Sequence, residues 1–370
     1  MASIHAVTVP KWGLSMDKGA VMAWHKQPGD RVRKGEDLVD VESDKIANVV
    51  ECPADGILRR QVAAVGDVLA VGALLGVVAD EEASDAEVEV LVTQFQATFV
   101  PMEAAVAGGP QPQVVHAAGR RVRYLVMGEG AEALLLIHGF GSDLNNWLFN
   151  QEPLAAGRRV YAIDLPGHGE SDKHLDTGSV DEYAACVIAF MDEVALSAAH
   201  FVGHSMGAAV ALCVADSTPA RVRSLTLVCP AGLGPEINID YLTGFAEANS
   251  RNALKPMLSQ LFADEALVNR KLVDDVLRYK RLEGVREALE KTIAAQFAQG
   301  HQRRLLRDVV GRLPTQVLWG AEDRIIPPQH AEGLRADVAV HRLAGAGHMA
   351  HMEAPAEVNR FIASFIARGL

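Results

Sequence analysis

Two rhythms of apolar and polar positions divide the chain. Over the first eighty residues, short apolar segments such as Ala20-Val21-Met22-Ala23-Trp24 and Gly56-Ile57-Leu58 are separated by Gly and Asp at regular spacing. That is the mark of short strands joined by tight turns. The segment also repeats itself: Gly19, Gly29-Asp30, Gly35 and Leu38 recur as Gly56, Gly66-Asp67, Gly72 and Leu75 at one constant offset. The pattern predicts a small all-β sandwich of two similar halves over residues 1–80. Glu42-Ser43-Asp44-Lys45-Ile46 lies where the first half gives way to the second, which puts Lys45 on an exposed hairpin.

Residues 81–113 read as a linker. Asp80 to Asp85 is acidic and loose, Val88 to Phe99 could form a short helix, and Gly108-Gly109-Pro110-Gln111-Pro112 is a breaker. If about 20 of these residues are flexible, their root-mean-square span is on the order of 25 Å.

From 114 to 370 apolar strands alternate with helical stretches, the order of an α/β fold with a mostly parallel sheet. Strand candidates are Arg121 to Met127, Ala133 to Ile137, Val160 to Asp164, Ala198 to Val202, Leu225 to Cys229, Thr315 to Trp319 and Val338 to His341. Between about 235 and 300 the sequence is mainly helical, for instance Leu267 to Leu277 and Val285 to Phe297. An insertion there would form a cap over the carboxyl edge of the sheet, where such folds place their sites.

Composition narrows the functional classes. The 370 residues are 49% hydrophobic and 22% charged, as in a soluble globular protein, and the net charge is −12. That charge argues against nucleic acid or an anionic membrane as the main partner. Cys52, Cys186, Cys213 and Cys229 are scattered without C-x-x-C or zinc spacing, so no metal site is expected and reduced, buried thiols are. No apolar run reaches the length of a membrane span, and Met1 to His5 lacks the features of a signal peptide; the expected location is the cytoplasm.

The chemistry concentrates in Val202-Gly203-His204-Ser205-Met206-Gly207, which joins a strand to a helix. Gly-x-Ser-x-Gly at such a turn is the nucleophile-elbow pattern, with glycines where side chains would clash. A serine hydroxyl needs a base, and His348 is the candidate; Asp323, just past a strand, would fix its tautomer. Backbone N–H groups of Met206 and Phe140 would receive a developing oxyanion. His138, His168 and His204 sit in turn motifs and are expected to shape backbone, and His351 to be a cap-facing or core histidine. Cys229 could line the pocket or simply pack. Arg303, Arg304 and Arg307 could meet phosphates, but a solvated helix face is the simpler reading.

The first segment, on Pro10-x-x-Gly13-Leu14-Ser15-Met16, Gly29-Asp30-x-Val32, Gly35 and Asp44-Lys45, resembles a lipoyl domain, the carrier of 2-oxo-acid and acetoin dehydrogenase complexes. Asp44 and Ile46, rather than the methionines usual in biotin carriers, flank Lys45, so the resemblance implies (R)-lipoate there. The segment from about 115 resembles the α/β-hydrolase fold: His138-Gly139-Phe140-Gly141 matches its oxyanion loop, Trp319-Gly320-Ala321-Glu322-Asp323 its acid position, and Gly345-Ala346-Gly347-His348 its histidine, with Glu353-x-Pro355 downstream. The order Ser…Asp…His is the one that fold uses. No subunit-binding module lies in the linker, and no His-x-x-x-Asp-Gly signature marks a chloramphenicol-acetyltransferase-like domain.

A lipoyl-type sandwich fused to an α/β-hydrolase fold resembles the acyltransferase (E2) component of bacterial acetoin dehydrogenase complexes. The resemblance implies transfer of acetyl from lipoyl-Lys45 to coenzyme A, with a thiamine-diphosphate-dependent E1 and dihydrolipoyl dehydrogenase (E3) as partners in a homo-oligomer or complex core. Two alternatives stay open: a thioesterase or esterase releasing the acyl group to water, and a carrier or scaffold whose hydrolase-like domain does not catalyse.

Overall fold

The computed structural model describes residues 3–10, 18–43, 46–99 and 110–368. Two compact units divide after residue 109.

The repeat of the first segment becomes two four-stranded antiparallel sheets. Strands β1 (Ile4–Thr8), β8 (Leu74–Ala79), β6 (Gly56–Gln61) and β3 (Arg31–Val32) form one; β5 (Ile46–Glu51), β4 (Asp37–Ser43), β2 (Lys18–Trp24) and β7 (Val68–Ala70) form the other. Each half of the repeat thus contributes two strands to each sheet. Val21, Leu38, Val41, Leu58, Leu75 and Val78 share one buried core. Burying such side chains stabilises by about 1.5–3 kcal/mol each before entropy is counted. β4 and β5 pair through Ser43 and Ile46. Lys45, with Asp44 and the Gly13-Leu14-Ser15-Met16 stretch, lies outside the described residues.

The acidic segment after β8 is more ordered than its composition suggests. Asp80 accepts the Ser3 N–H at 2.9 Å, and Arg59 donates to the Ala83 carbonyl at 2.7 Å and to Asp85 at 2.6 Å. Ser84 then caps α1 (Asp85–Thr98) in a reciprocal box with Glu87. Val88 and Val92 of this helix pack on Leu74 and Val77 of β8. The short helix anticipated within the linker is therefore fourteen residues long and docked on the sheet.

The second unit is built on an eight-stranded sheet: β9 (Gln113–Ala117), β10 (Arg120–Met127), β12 (Arg159–Ile163), β11 (Ala133–Ile137), β13 (Ala199–His204), β14 (Val222–Val228), β17 (Thr315–Gly320) and β18 (Ala339–Leu343), in that spatial order. β9 and β10 are antiparallel additions at one edge, and all other pairings are parallel. Strands β11, β13 and β17 are buried along their whole length because both faces are covered. Strand order reverses at β11, which lies between β12 and β13, so the loops leaving β11 and β13 open side by side.

Helices α2 (Val180–Glu193), α3 (Met206–Ser217) and α8 (Pro355–Ile366) accompany the sheet. The cap consists of α4 (Ile239–Glu247), α5 (Arg251–Ser259), α6 (Arg270–Lys280) and α7 (Val285–Gln296), closed by a hairpin of β15 (Phe297–Ala298) and β16 (His301–Gln302). The helix expected from Leu267 starts later, because Asp264 caps a separate 3-10 turn over Glu265–Leu267. Among the described residues no helix is long and apolar enough to cross a membrane. All four cysteines are buried and free.

Candidate active site

Ser205 stands between β13 and α3 with φ +53° and ψ −118°, a conformation non-glycine residues rarely adopt. Its N–H is held by the Val228 carbonyl at 2.9 Å, and its own carbonyl receives the N–H groups of Ala208 and Ala231. The turn closes only because residue 207 is glycine: a Cβ there would sit 2.2 Å from the Ile137 carbonyl oxygen and 2.5 Å from that of His138. Gly207→Ala should therefore cost on the order of 3 kcal/mol, read as a lower urea midpoint. An unchanged midpoint would mean that β11 and the elbow do not approach so closely.

Asp323 and His348 come together from the loops after β17 and β18. His348 Nδ1 lies 2.9 Å from Asp323 Oδ2, and both side chains are buried. Asp323 Oδ2 also accepts the indole N–H of Trp319 at 3.0 Å. Its Oδ1 accepts the backbone N–H groups of Ile325 and Ile326 at 2.8 and 3.0 Å. Four N–H groups thus satisfy a carboxylate removed from water. Glu353 clamps the histidine loop, accepting the N–H of Gly347 at 2.7 Å and, from the cap, that of Ala263 at 2.8 Å. Among the described residues no hydrogen bond joins the Ser205 hydroxyl to His348. That contact is one that closes on substrate in many hydrolytic sites.

Met206 opens α3, so its N–H has no acceptor within the helix. Phe140 lies in the loop after β11, next to Gly139, where a Cβ would come 3.1 Å from the Ser205 Cβ. Among the described residues neither N–H has a protein acceptor, as an oxyanion donor requires. Cap helix α4 closes on this loop. The Phe245 ring meets Phe140 edge-on at 6.0 Å, and a Cβ on Gly141, which has φ +70°, would lie 2.4 Å from it. Lys280 of α6 sits over the Phe245 ring, 4.6 Å from its centroid, and donates to the Phe245 and Ala246 carbonyls. Burial lowers this lysine to about 8.

The turn histidines each bind backbone. His138 Nδ1 pairs with the Gly139 carbonyl and its Nε2 accepts the Leu165 N–H at 3.0 Å; His168 donates to the Pro166 carbonyl. His204 donates from Nε2 to the His348 carbonyl at 2.9 Å, tying the elbow to the histidine loop. Burial holds all three below the ordinary value, His138 at about 4 and His168 at about 3, so they act as neutral rings. His351 is buried between Trp147 and His204, at 4.6 and 4.5 Å between centroids.

The loop after β11 is pinned by Asp164, whose Oδ1 accepts the Leu144 N–H at 2.7 Å while Oδ2 accepts that of Glu170 and faces Arg123. Burial, reinforced by the neighbouring Asp143 carboxyl, raises Asp164 from 3.8 to about 7. The folded chain then binds more protons than the unfolded one across that window. This contribution to stability is full below 3.8 and is lost as pH rises toward about 7. Urea midpoints should fall less between pH 5 and 7.5 in Asp164→Asn than in the parent; parallel curves would contradict the assignment.

Cys229 and the three arginines take the simpler of their two readings. Cys229, just past β14, has φ +43° and is fully buried, with its sulfur and the polar atoms of Asp323 and His348 all within 4.8 Å of one another. It packs behind the pair rather than against open space. Arg307 spends its guanidinium on the carbonyls of Leu233, His330 and Glu332, and Arg304 faces Asp181 and Asp216. Neither is free for a phosphate; Arg303 is exposed and reaches the Phe297 carbonyl at 3.3 Å.

Residues 132–355 match the family model of the alpha/beta hydrolase fold, and residues 5–78 that described as biotin-requiring enzyme. The dihydrolipoyllysine-residue acetyltransferase component of the acetoin cleaving system from Pseudomonas putida is 51% identical, with 100% of both chains covered. Its counterpart from Cupriavidus necator is 46% identical over 97% of this chain and 96% of that protein. A 2-hydroxy-6-oxononadienedioate/2-hydroxy-6-oxononatrienedioate hydrolase from Cupriavidus pinatubonensis is 31% identical over 65% of this chain and 88% of its own length. Among solved structures, the meta-cleavage product hydrolase from Pseudomonas fluorescens superposes with a TM-score of 0.63 at 24% identity, covering 70% of this chain and 98% of that one. At that identity the likeness concerns the fold alone.

Proposed function

The chain belongs to the family of dihydrolipoyllysine-residue acetyltransferase components of acetoin cleaving systems, and from that premise we propose that it passes acetyl from a lipoyl-lysine to coenzyme A through Ser205. The observation that carries the reading is the union, in one chain, of a domain bearing Lys45 with a serine at a strand–helix elbow and a buried Asp–His pair. In sequence Lys45 falls between β4 and β5, which pair through Ser43 and Ile46. Lipoate on its amine supplies a thiol that carries acetyl as a thioester on a long tether, which makes each delivery effectively intramolecular.

The residues divide the work as follows. Ser205 Oγ attacks the thioester carbonyl carbon while His348 takes the serine proton. Met206 and Phe140 N–H groups receive the oxyanion, a contribution typically of a few kcal/mol per donor. His348 returns the proton to the departing dihydrolipoyl sulfur as the carbon–sulfur bond breaks, leaving acetyl on Ser205. It then takes the proton of the coenzyme A thiol, whose sulfur attacks the acetyl carbon and restores the serine. Asp323 keeps His348 in the tautomer with its free lone pair toward Ser205. The Phe140–Phe245 contact supports the demand that the cap exclude water until the thiol arrives.

Asp323→Asn removes that tautomer control and is expected to lower kcat by about 10⁴-fold. A loss of less than about tenfold, measured by acetyl-coenzyme A formation, would place the acid elsewhere. The proposed partners are a thiamine-diphosphate-dependent acetoin dehydrogenase E1 that loads the arm and a dihydrolipoyl dehydrogenase that reoxidises it, in an oligomeric complex. Likeness of the second unit to a hydrolase sustains one rival, release of the acyl group to water. Product analysis decides: acetyl-dihydrolipoamide should yield acetyl-coenzyme A when coenzyme A is present and little acetate when it is withheld. Equal acetate release in both cases would favour the hydrolase.

A further inference from the structure

We propose that Trp319 is a positioning residue of the site: its indole N–H holds Asp323 Oδ2, the same oxygen that pairs with His348 Nδ1, and so sets how strongly the carboxylate draws on that histidine. The inference rests on the reading of Ser205, Asp323 and His348 as one catalytic set.

The geometry is specific. Trp319 is the penultimate residue of β17, fully buried, and Asp323 follows four residues later in the loop leaving that strand. The indole nitrogen lies 3.0 Å from Oδ2, and His348 Nδ1 lies 2.9 Å from the same atom. The backbone N–H groups of Ile325 and Ile326 occupy only Oδ1. Two donors therefore share one oxygen. A second donor on Oδ2 disperses its charge and weakens its pull on a protonated imidazole; it also stops the carboxylate from rotating about χ2.

Beside His348, Trp319 is the side chain hydrogen-bonded to Oδ2, at 3.0 Å. Cys229, from the end of β14, also meets the Asp323 carboxylate, and burial together with that carboxylate pushes its thiol well up. His204, from the end of β13, is held neutral by burial and spends its Nε2–H on the His348 carbonyl. His351, in the turn after His348, is pushed down to about 3 by burial. Glu353 turns to the N–H groups of Gly347, Ala263 and Asp264, and Glu322 to that of Gly345. Arg324 faces Glu265 and the Phe262 carbonyl.

Removing the indole N–H should leave Oδ2 more basic, so that it stabilises imidazolium more strongly and keeps His348 protonated to higher pH. The test compares Trp319→Phe with replacement of Trp319 by 3-benzothienylalanine, which preserves the two-ring shape and puts sulfur where the N–H was. Both are assayed in the full chain for acetyl transfer from acetyl-dihydrolipoamide to coenzyme A. The benzothienyl protein should fold like the parent, melting about a few degrees lower for the lost hydrogen bond, and lose about tenfold in kcat/KM. The acid limb of its kcat/KM profile should move upward by about half a pH unit or more. An acid limb that stays in place, whether the rate falls or not, would reduce Trp319 to packing and overturn the proposal. Should Ser205→Ala retain activity, the catalytic set itself fails, an outcome separate from an unmoved acid limb in an enzyme that still needs Ser205.

Discussion

Ser205→Ala is expected to lower acetyl transfer from acetyl-dihydrolipoamide to coenzyme A by at least about 10⁴-fold, with thermal stability unchanged. Nucleophile loss in a serine–histidine–aspartate set costs on the order of 10⁶ in kcat, and the residue of activity comes from oxyanion donors and binding. Stability should hold because the Ser205 backbone, not its hydroxyl, carries the fold: its N–H binds Val228, and its carbonyl binds Ala208 and Ala231. Alanine does bring a Cβ no larger than serine's to the strained φ of +53°. A variant that keeps full transfer would mean that coenzyme A attacks the lipoyl thioester directly.

Lys45→Arg should have an equally large effect on a different measurement. Arginine retains charge and length but cannot form the amide, so the variant should lack the lipoyl mass and stop turnover of acetoin to acetyl-coenzyme A in the reconstituted complex. Transfer from free acetyl-dihydrolipoamide should persist, because Ser205, Asp323 and His348 are untouched. That split separates carrier from catalyst. Loss of both activities with an intact fold would mean that Lys45 serves the transfer site itself, and full complex turnover would move the attachment elsewhere.

Much of this organisation is legible along the chain because periodicity and turn chemistry are local. The glycine–aspartate repeat forecasts the two-sheet sandwich, since each copy must bury the same apolar face. The second unit's strands fall where apolar runs end in turn motifs, and β11 runs from Ala133 to Ile137 as the pattern predicts. What escapes is cooperative and long-range. The acidic stretch after β8 looks loose because its order comes from Arg59, Ser3 and Glu87 rather than from its own apolar content. The role of Trp319 is hidden for a similar reason: an apolar residue in a buried strand reads as core, and only its N–H, meeting the loop four residues on, says otherwise. For Cys229 the sequence leaves pocket lining and packing both open, because its closeness to Asp323 and His348 depends on three adjacent strand ends. Arg303, Arg304 and Arg307 look alike as a basic run, yet Arg307 is spent on carbonyls and Arg304 on acids.

The central claim is that acetyl passes through Ser205 on its way to coenzyme A. Intact mass spectrometry of the lipoylated protein, incubated with acetyl-dihydrolipoamide and without coenzyme A, tests it most directly when paired with peptide mapping. The account predicts the mass of one acetyl group on the peptide bearing Ser205, lost on addition of coenzyme A with stoichiometric acetyl-coenzyme A, and absent from Ser205→Ala. Rapid formation of acetyl-coenzyme A by a protein that never carries acetyl at Ser205, even when quenched within a single turnover, would contradict it.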